Sequence, residues 1–209
     1  MITYHSTRGS KSTLSFQDIV LSGVAEDKGL YLPNGTTLEK LSNLTQEDLS
    51  YEDFVKTVFI ALDKNSASYV DELSIYPGFE NSPEPVLKEI NKDKYVMELF
   101  HGPTKSFKDY ALQPLGAIAD KRLEEIGERG LVIVATSGDT GSAAIQAVKD
   151  SKNIDIVVLH PHNKVSEYQR RQMTEVIQDN VLILQLRGPM MIASKLPKLF
   201  YRKTLLTEE

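Results

Sequence analysis

Residues 131–160, LVIVATSGDTGSAAIQAVKDSKNIDIVVLH, hold the pattern that decides the fold. LVIVAT (131–136) is a continuous apolar run, as in a strand covered on both faces. A small-residue loop follows, then a helical stretch, GSAAIQAVKD (141–150), and a second apolar run, IDIVVLH (154–160). The same alternation extends in both directions. KYVMELF (94–100) reads as a strand and FKDYALQPLGAIADKRLEEI (107–126) as a long helix; SEYQRRQMTEVIQ (166–178) reads as a helix and NVLILQL (180–186) as a strand. Strands alternating with helices predict an α/β domain with βαβ crossovers and a parallel sheet. Ligands bind such sheets at the carboxyl ends of the strands.

Ahead of this domain the texture differs. Apolar residues recur at helical spacing over 16–21 and over YEDFVKTVFIAL (51–62), with Ser50 available as an N-cap, and Gly23, Gly29, Pro33 and Gly35 punctuate the turns between them. PGFENSPEPV (77–86), with Pro77, Pro83 and Pro85, is the best linker candidate. The expected organisation is therefore a small, mostly helical domain over 1–84, an α/β domain over 85–188, and a tail over 189–209 that fits neither.

Composition narrows the function classes. At 209 residues, 41% hydrophobic and 25% charged, the chain has the makeup of a soluble globular protein. A net charge of −5 without a dense basic block argues against nucleic acid or an anionic membrane as the main partner. There is no cysteine, so disulfides, thiolate catalysis and cysteine-ligated metals are excluded. No signal peptide and no membrane-length apolar run is evident, which makes a cytoplasmic location the expectation.

Two loops lie at the ends of expected strands: HGPTKSFKD (101–109) and TSGDTGSAA (136–144). The second offers hydroxyls and two glycines directly before a helix, so backbone N–H groups and the helix dipole converge as in a phosphate or carboxylate cradle. A plain capped turn, with Ser137, Asp139 or Thr140 as N-cap, is the competing reading. Neither the Walker A pattern nor the G-x-G-x-x-G fingerprint is present. In the first loop Lys108 opens a helix, where the dipole disfavours a cation by a few tenths to ~1 kcal/mol. A lysine taken at random would simply be solvated there.

STRG (6–9), GVAEDKGLYLP (23–33), ELFHGPTKSFKDYALQ (98–113) and ATSGDTGSAA (135–144) occur in order, and together they closely resemble the threonine synthase family over about residues 1–188. The resemblance implies the pyridoxal-phosphate fold type II, like the β subunit of tryptophan synthase. It implies conversion of O-phosphohomoserine and water to threonine and phosphate by γ-elimination and β-addition. In that family the lysine of the Phe-Lys-Asp motif carries pyridoxal 5′-phosphate as a Schiff base, and here it is Lys108. A Schiff-base lysine must shed its proton, which a helix N-terminus and partial burial favour. The resemblance places Phe107, Ser137, Asp139 and Thr140 beside the cofactor. It places Thr104, Ser106, Thr136, Ser137, Gly138 and Thr140 beside the substrate. A related phospho-lyase that releases 2-oxobutyrate, and an inactive truncated fragment, are the alternatives.

Other polar residues carry weaker signals. His101 is expected to make a structural hydrogen bond, and His160 and His162 read as loop polar groups with no carboxylate spaced to complete a metal site. Lys121, Arg122, Glu124 and Glu125 read as a solvated helix face. The sequence also departs from the family. Lys28 stands where a glycine is usual, and Pro114 sits inside a helix, at a cost of ~3 kcal/mol. After residue 188 the family continues with acidic residues and Cys-Gln, whereas this chain reads PMMIAS. Codons for Pro189 to Ser194, read one base earlier with permitted choices at the free positions, can give Asp-Asp-Asp-Cys-Gln. A frameshifted tail, packed as coil or loose helix at the sheet edge, is expected.

Overall fold

A computed structural model describes residues 3–10, 13–33, 49–63, 74–81, 83–136, 138–187 and 200–203. The chain divides into two compact units, Met1–Ser74 and Ile75–Glu209. This division falls ahead of the boundary expected near residue 84, because the segment after residue 74 is anchored within the second unit. The Tyr76 hydroxyl donates to the Tyr110 carbonyl (2.9 Å), Gly78 N donates to Gln113 Oε1 (3.3 Å), and the rings of Tyr76, Phe79 and Tyr110 pack edge to face.

In the first unit, β1 (Tyr4–Ser6) pairs antiparallel with β2 (Tyr31–Pro33). Helix α1 (Phe16–Ser22) begins with a capping box between Ser15 and Asp18 and ends at Gly23, whose φ of 70° suits a residue without Cβ. Helix α2 (Tyr51–Leu62) starts at the expected cap, with Ser50 Oγ accepting from Asp53 N (3.1 Å), a contact worth about 1 kcal/mol. Phe16 packs against Tyr4 and Phe59, and Tyr4 Oη donates to the Leu62 carbonyl at the end of α2 (3.0 Å). Asp27 ties the two turn motifs together: its carboxylate accepts from Ser6 Oγ (2.6 Å), Ser10 N (2.9 Å) and Gly29 N (2.9 Å). These bonds, that from Ser6 foremost, hold its pKa below the usual carboxylate range.

The second unit opens with a hairpin that the sequence did not announce. Strand β3 (Val86–Asn91) pairs antiparallel with β4 (Lys94–Glu98), joined by a turn with Asp93 at φ 60°. Residues 94–98 are thus a strand, as expected, but not one of the parallel sheet. Helix α3 (Asp109–Ile126) follows and ends at Gly127 in the left-handed region. Then come β5 (Arg129–Ala135), α4 (Asp139–Val148), β6 (Ile154–Pro161), α5 (Glu167–Thr174) and β7 (Val181–Leu186). Strands β5, β6 and β7 are parallel, with Leu131 opposite Asp155 and Ile156 opposite Val181, so the alternation of residues 131–186 builds the expected βαβ sheet.

The expected coil or loose helix of the tail is corrected over residues 200–203. These form β8 (Phe200–Lys203), antiparallel to β5, giving the order β7-β6-β5-β8. An open edge of β5, with its row of unpaired N–H and C=O groups, is a template for any extended segment that can reach it. The codon-shift junction lies outside the described residues.

Strand β6 is the centre of the core. Ile154, Ile156 and Val158 are buried, together with Ile118 and Leu123 of α3, Ile145 of α4 and Met173 of α5. Each such side chain contributes about 1.5–3 kcal/mol by leaving water. Gly116 lets α3 approach α4 closely, since a Cβ there would stand 2.5 Å from the Ala147 carbonyl oxygen. No helix among the described residues is long and apolar enough to cross a membrane.

Candidate active site

Both candidate loops belong to the second unit. The first leaves β4 and enters α3, and it is organised around Asp109, which is fully buried. The Asp109 carboxylate accepts from Thr104 N (2.9 Å) and from Thr104 Oγ1 (2.8 Å). Gly102 presses against it so closely that a Cβ would lie 2.5 Å from Oδ2. Burial raises the Asp109 pKa, and the two Thr104 donors oppose that rise. Ser106 Oγ accepts from Lys108 N (3.3 Å). Thr104 and Ser106 are both buried, and their hydroxyls serve the loop itself.

This scaffold sets Lys108 at the mouth of α3. The residue has helical φ and ψ, and its carbonyl accepts from Ala111 N (3.2 Å) and Leu112 N (2.9 Å). Its amine rests over the Phe107 ring, 4.5 Å from the centroid, and that ring is 61% exposed. Among the described residues no carboxylate lies within ion-pairing distance of the amine. His101 makes the structural contact expected of it, with Nε2 2.9 Å from Glu98 Oε2. Lys88 bonds the other Glu98 oxygen (2.7 Å), and the two partners, Lys88 first, lower the Glu98 pKa.

The second loop leaves the carboxyl end of β5. Thr136 is buried, and its Oγ1 accepts from Gly138 N (3.0 Å), turning the chain into α4. Gly138 is the N-cap of α4 and has no side chain with which to close the first turn. Neither Asp139 nor Thr140 is therefore the N-cap of α4. Thr140 lines an apolar cavity of about 130 Å³ with Leu112, Val134 and Ala144. Ser137 lies outside the described residues.

Sequence reasoning missed the element that joins the two loops. Helix α5 sends Gln169 Nε2 to Asp139 Oδ1 and Gln172 Nε2 to the Thr104 carbonyl (2.8 Å). The partners are 30 and 68 residues apart in sequence, so no local pattern announces them. The capping box of Ser166 and Gln169 was the available local signal, because it fixes where Gln169 stands. His160 corrects a second reading. It is not a loop residue but lies in β6, 4% exposed, at the carboxyl end of the central strand. A wider cavity of about 580 Å³ opens between residues 80, 81 and 84–87 and His101 and Lys105, and neither Lys108 nor Asp139 lines it.

The model for the threonine synthase N terminus matches residues 3–67. A threonine synthase from Pseudomonas aeruginosa is 42% identical over 192 residues, which cover 88% of this chain and 40% of that protein. Threonine synthase-like 2 from Xenopus laevis is 34% identical over 88% of this chain and 40% of its own length. The crystal structure of pyridoxal-phosphate-bound threonine synthase from Brucella melitensis superposes with a TM-score of 0.80 at 36% identity, over 93% of this chain and 43% of that one. The chain spans about two fifths of the length of the curated relatives it matches. In sequence and in fold, it belongs to the threonine synthase family.

Proposed function

We propose that this chain provides the lysine-bearing part of a pyridoxal-phosphate-dependent threonine synthase, a lyase that converts O-phosphohomoserine and water to threonine and phosphate. The observation that carries the reading is the Lys108 amine, held at the mouth of α3 without a carboxylate partner among the described residues and lying over an exposed aromatic ring. A carbonyl-bearing cofactor requires such an amine, since an ion-paired ammonium is a poor nucleophile. The residues present fit the group. Lys108 and Phe107 would hold it from the first loop, and Ser137, Asp139 and Thr140 from the second.

When bound, the cofactor supplies an electron sink for the substrate carbon bearing the amino group. Lys108 then moves protons at that carbon through Nζ, a general-base role. Asp139 would orient the cofactor ring through its carboxylate, and the helix starts at Gly138 and Lys108 would offer backbone N–H groups to anionic groups. Thr104, Ser106 and Thr136 shape the loops that position these groups. A cytoplasmic site of action belongs to the same reading.

One second reading is a threonine-synthase-like phospho-lyase that eliminates phosphate from the same substrate and releases 2-oxobutyrate; a protein named threonine synthase-like 2 is among the relatives. Adding pyridoxal 5′-phosphate to the purified chain is expected to give a visible absorbance band that Lys108→Ala abolishes. An unchanged band in that variant sinks the reading. With O-phosphohomoserine added, threonine among the products supports the synthase, 2-oxobutyrate the lyase, and a band without phosphate release a binding-only chain.

A further inference from the structure

We propose that Gln169 is a positioning residue for the cofactor site, fixing the Asp139 carboxylate from α5; the inference rests on the cofactor reading above. The amide is oriented at both ends. Its Oε1 accepts from Ser166 Oγ (3.0 Å) and Ser166 N (3.3 Å), which leaves Nε2 as the end that donates to Asp139 Oδ1. Ser166 Oγ in turn accepts from Gln169 N (3.2 Å), so the capping box locks the side chain that reaches across to the other loop. Gly138 abuts the same amide: a Cβ there would stand 2.8 Å from Gln169 Oε1, and nearer still to Cδ and Nε2. A side chain at Gly138 would therefore have to displace the Gln169 amide from its place.

Asp139 is exposed, and a carboxylate on a free loop would sample several rotamers. A donor held by its own helix cap removes that freedom at little further entropic cost. Because Gln172 on the same helix holds the Thr104 carbonyl, α5 spaces the carboxylate loop against the lysine loop. A helix-capping role and a positioning role make different demands on residue 169. Capping needs only an acceptor at this position, and glutamate serves as well as glutamine. Positioning needs the amide donor.

The test uses the purified chain titrated with pyridoxal 5′-phosphate, followed by the visible band, together with the side-chain amide resonances of the ¹⁵N-labelled protein without cofactor. Gln169→Glu keeps the cap but places one carboxylate against another. It is expected to weaken cofactor uptake at least about tenfold, the loss associated with one hydrogen bond to a charged group, and to displace the band. Gln169→Ala is expected to do so in the wild-type background and to add nothing in an Asp139→Ala background. In the cofactor-free spectrum, Asp139→Ala should move the Gln169 Nε2 proton resonances. A Gln169→Glu variant that binds like wild type, additive effects in the double variant, or amide resonances indifferent to Asp139→Ala would each overturn the proposal. A wild-type chain that takes up no cofactor sinks the cofactor reading itself, and the amide resonances then still decide whether Gln169 holds Asp139.

Discussion

The Tyr76 hydroxyl donates to the Tyr110 carbonyl oxygen at 2.9 Å, and Tyr110 is the residue whose carbonyl an N–H at position 114 would otherwise satisfy. Pro114 has no such N–H. The Tyr76 side chain therefore replaces the missing backbone donor inside α3, and the proline is accommodated six residues after Lys108. Tyr76→Phe is expected to cost about 1 kcal/mol by removing that bond. Pro114→Ala restores a backbone donor, so the same Tyr76→Phe change in a Pro114→Ala background should cost much less. Urea unfolding of the four proteins in the cycle reads the coupling directly, and additive costs would refute the replacement.

Lys28 has φ 63°, in the left-handed region that a Cβ disfavours, and its N–H is held by the Ala25 carbonyl (2.8 Å). That conformation is one a glycine adopts without penalty. Lys28→Gly is expected to stabilise the chain by roughly 0.5–1 kcal/mol, the relief of a left-handed side chain less the entropy glycine loses on folding. A midpoint shift to higher urea concentration checks it.

Burial, with the nearby Asp63 charge adding to it, pushes the Tyr4 pKa up to about 12. The native state thus holds its proton where an unfolded tyrosine, near 10, has released it. The stability this gives is fully present below pH 10 and is lost as pH rises toward 12, at up to ~1.4 kcal/mol per pH unit. Tyr4→Phe should flatten that part of the alkaline unfolding profile while costing about 1 kcal/mol at neutral pH for the lost bond to Leu62.

Asp109 and Thr104 form one unit, so their losses should not add. Asp109→Ala leaves two donors of Thr104 unpaired in a buried site and is expected to cost about 2–3 kcal/mol. Thr104→Val should cost about 1 kcal/mol, and the pair less than the sum. Because burial raises the Asp109 pKa, its ionisation favours unfolding. Stability should therefore fall as pH rises through the native value, and Asp109→Asn should remove that slope.

The α/β alternation of residues 131–186, the caps at Ser50 and Ser166, and the two motif loops were determined by the sequence itself. Each depends on residues within a few positions of one another: apolar runs fit buried strands, and a serine accepts from an N–H three residues on. Tertiary structure alone decided which strands share a sheet. Residues 86–91 mix polar with apolar and lie exposed along their length, so no alternation marked them, yet they claim 94–98 as a hairpin partner. His160 differs from a loop histidine only because β6 runs on to Pro161 through the buried centre of the sheet. The loops become one candidate site only through Gln169 and Gln172, whose partners lie far away in sequence. A local pattern carries no information about a donor and acceptor that only the packing of α5 brings within 3 Å of each other.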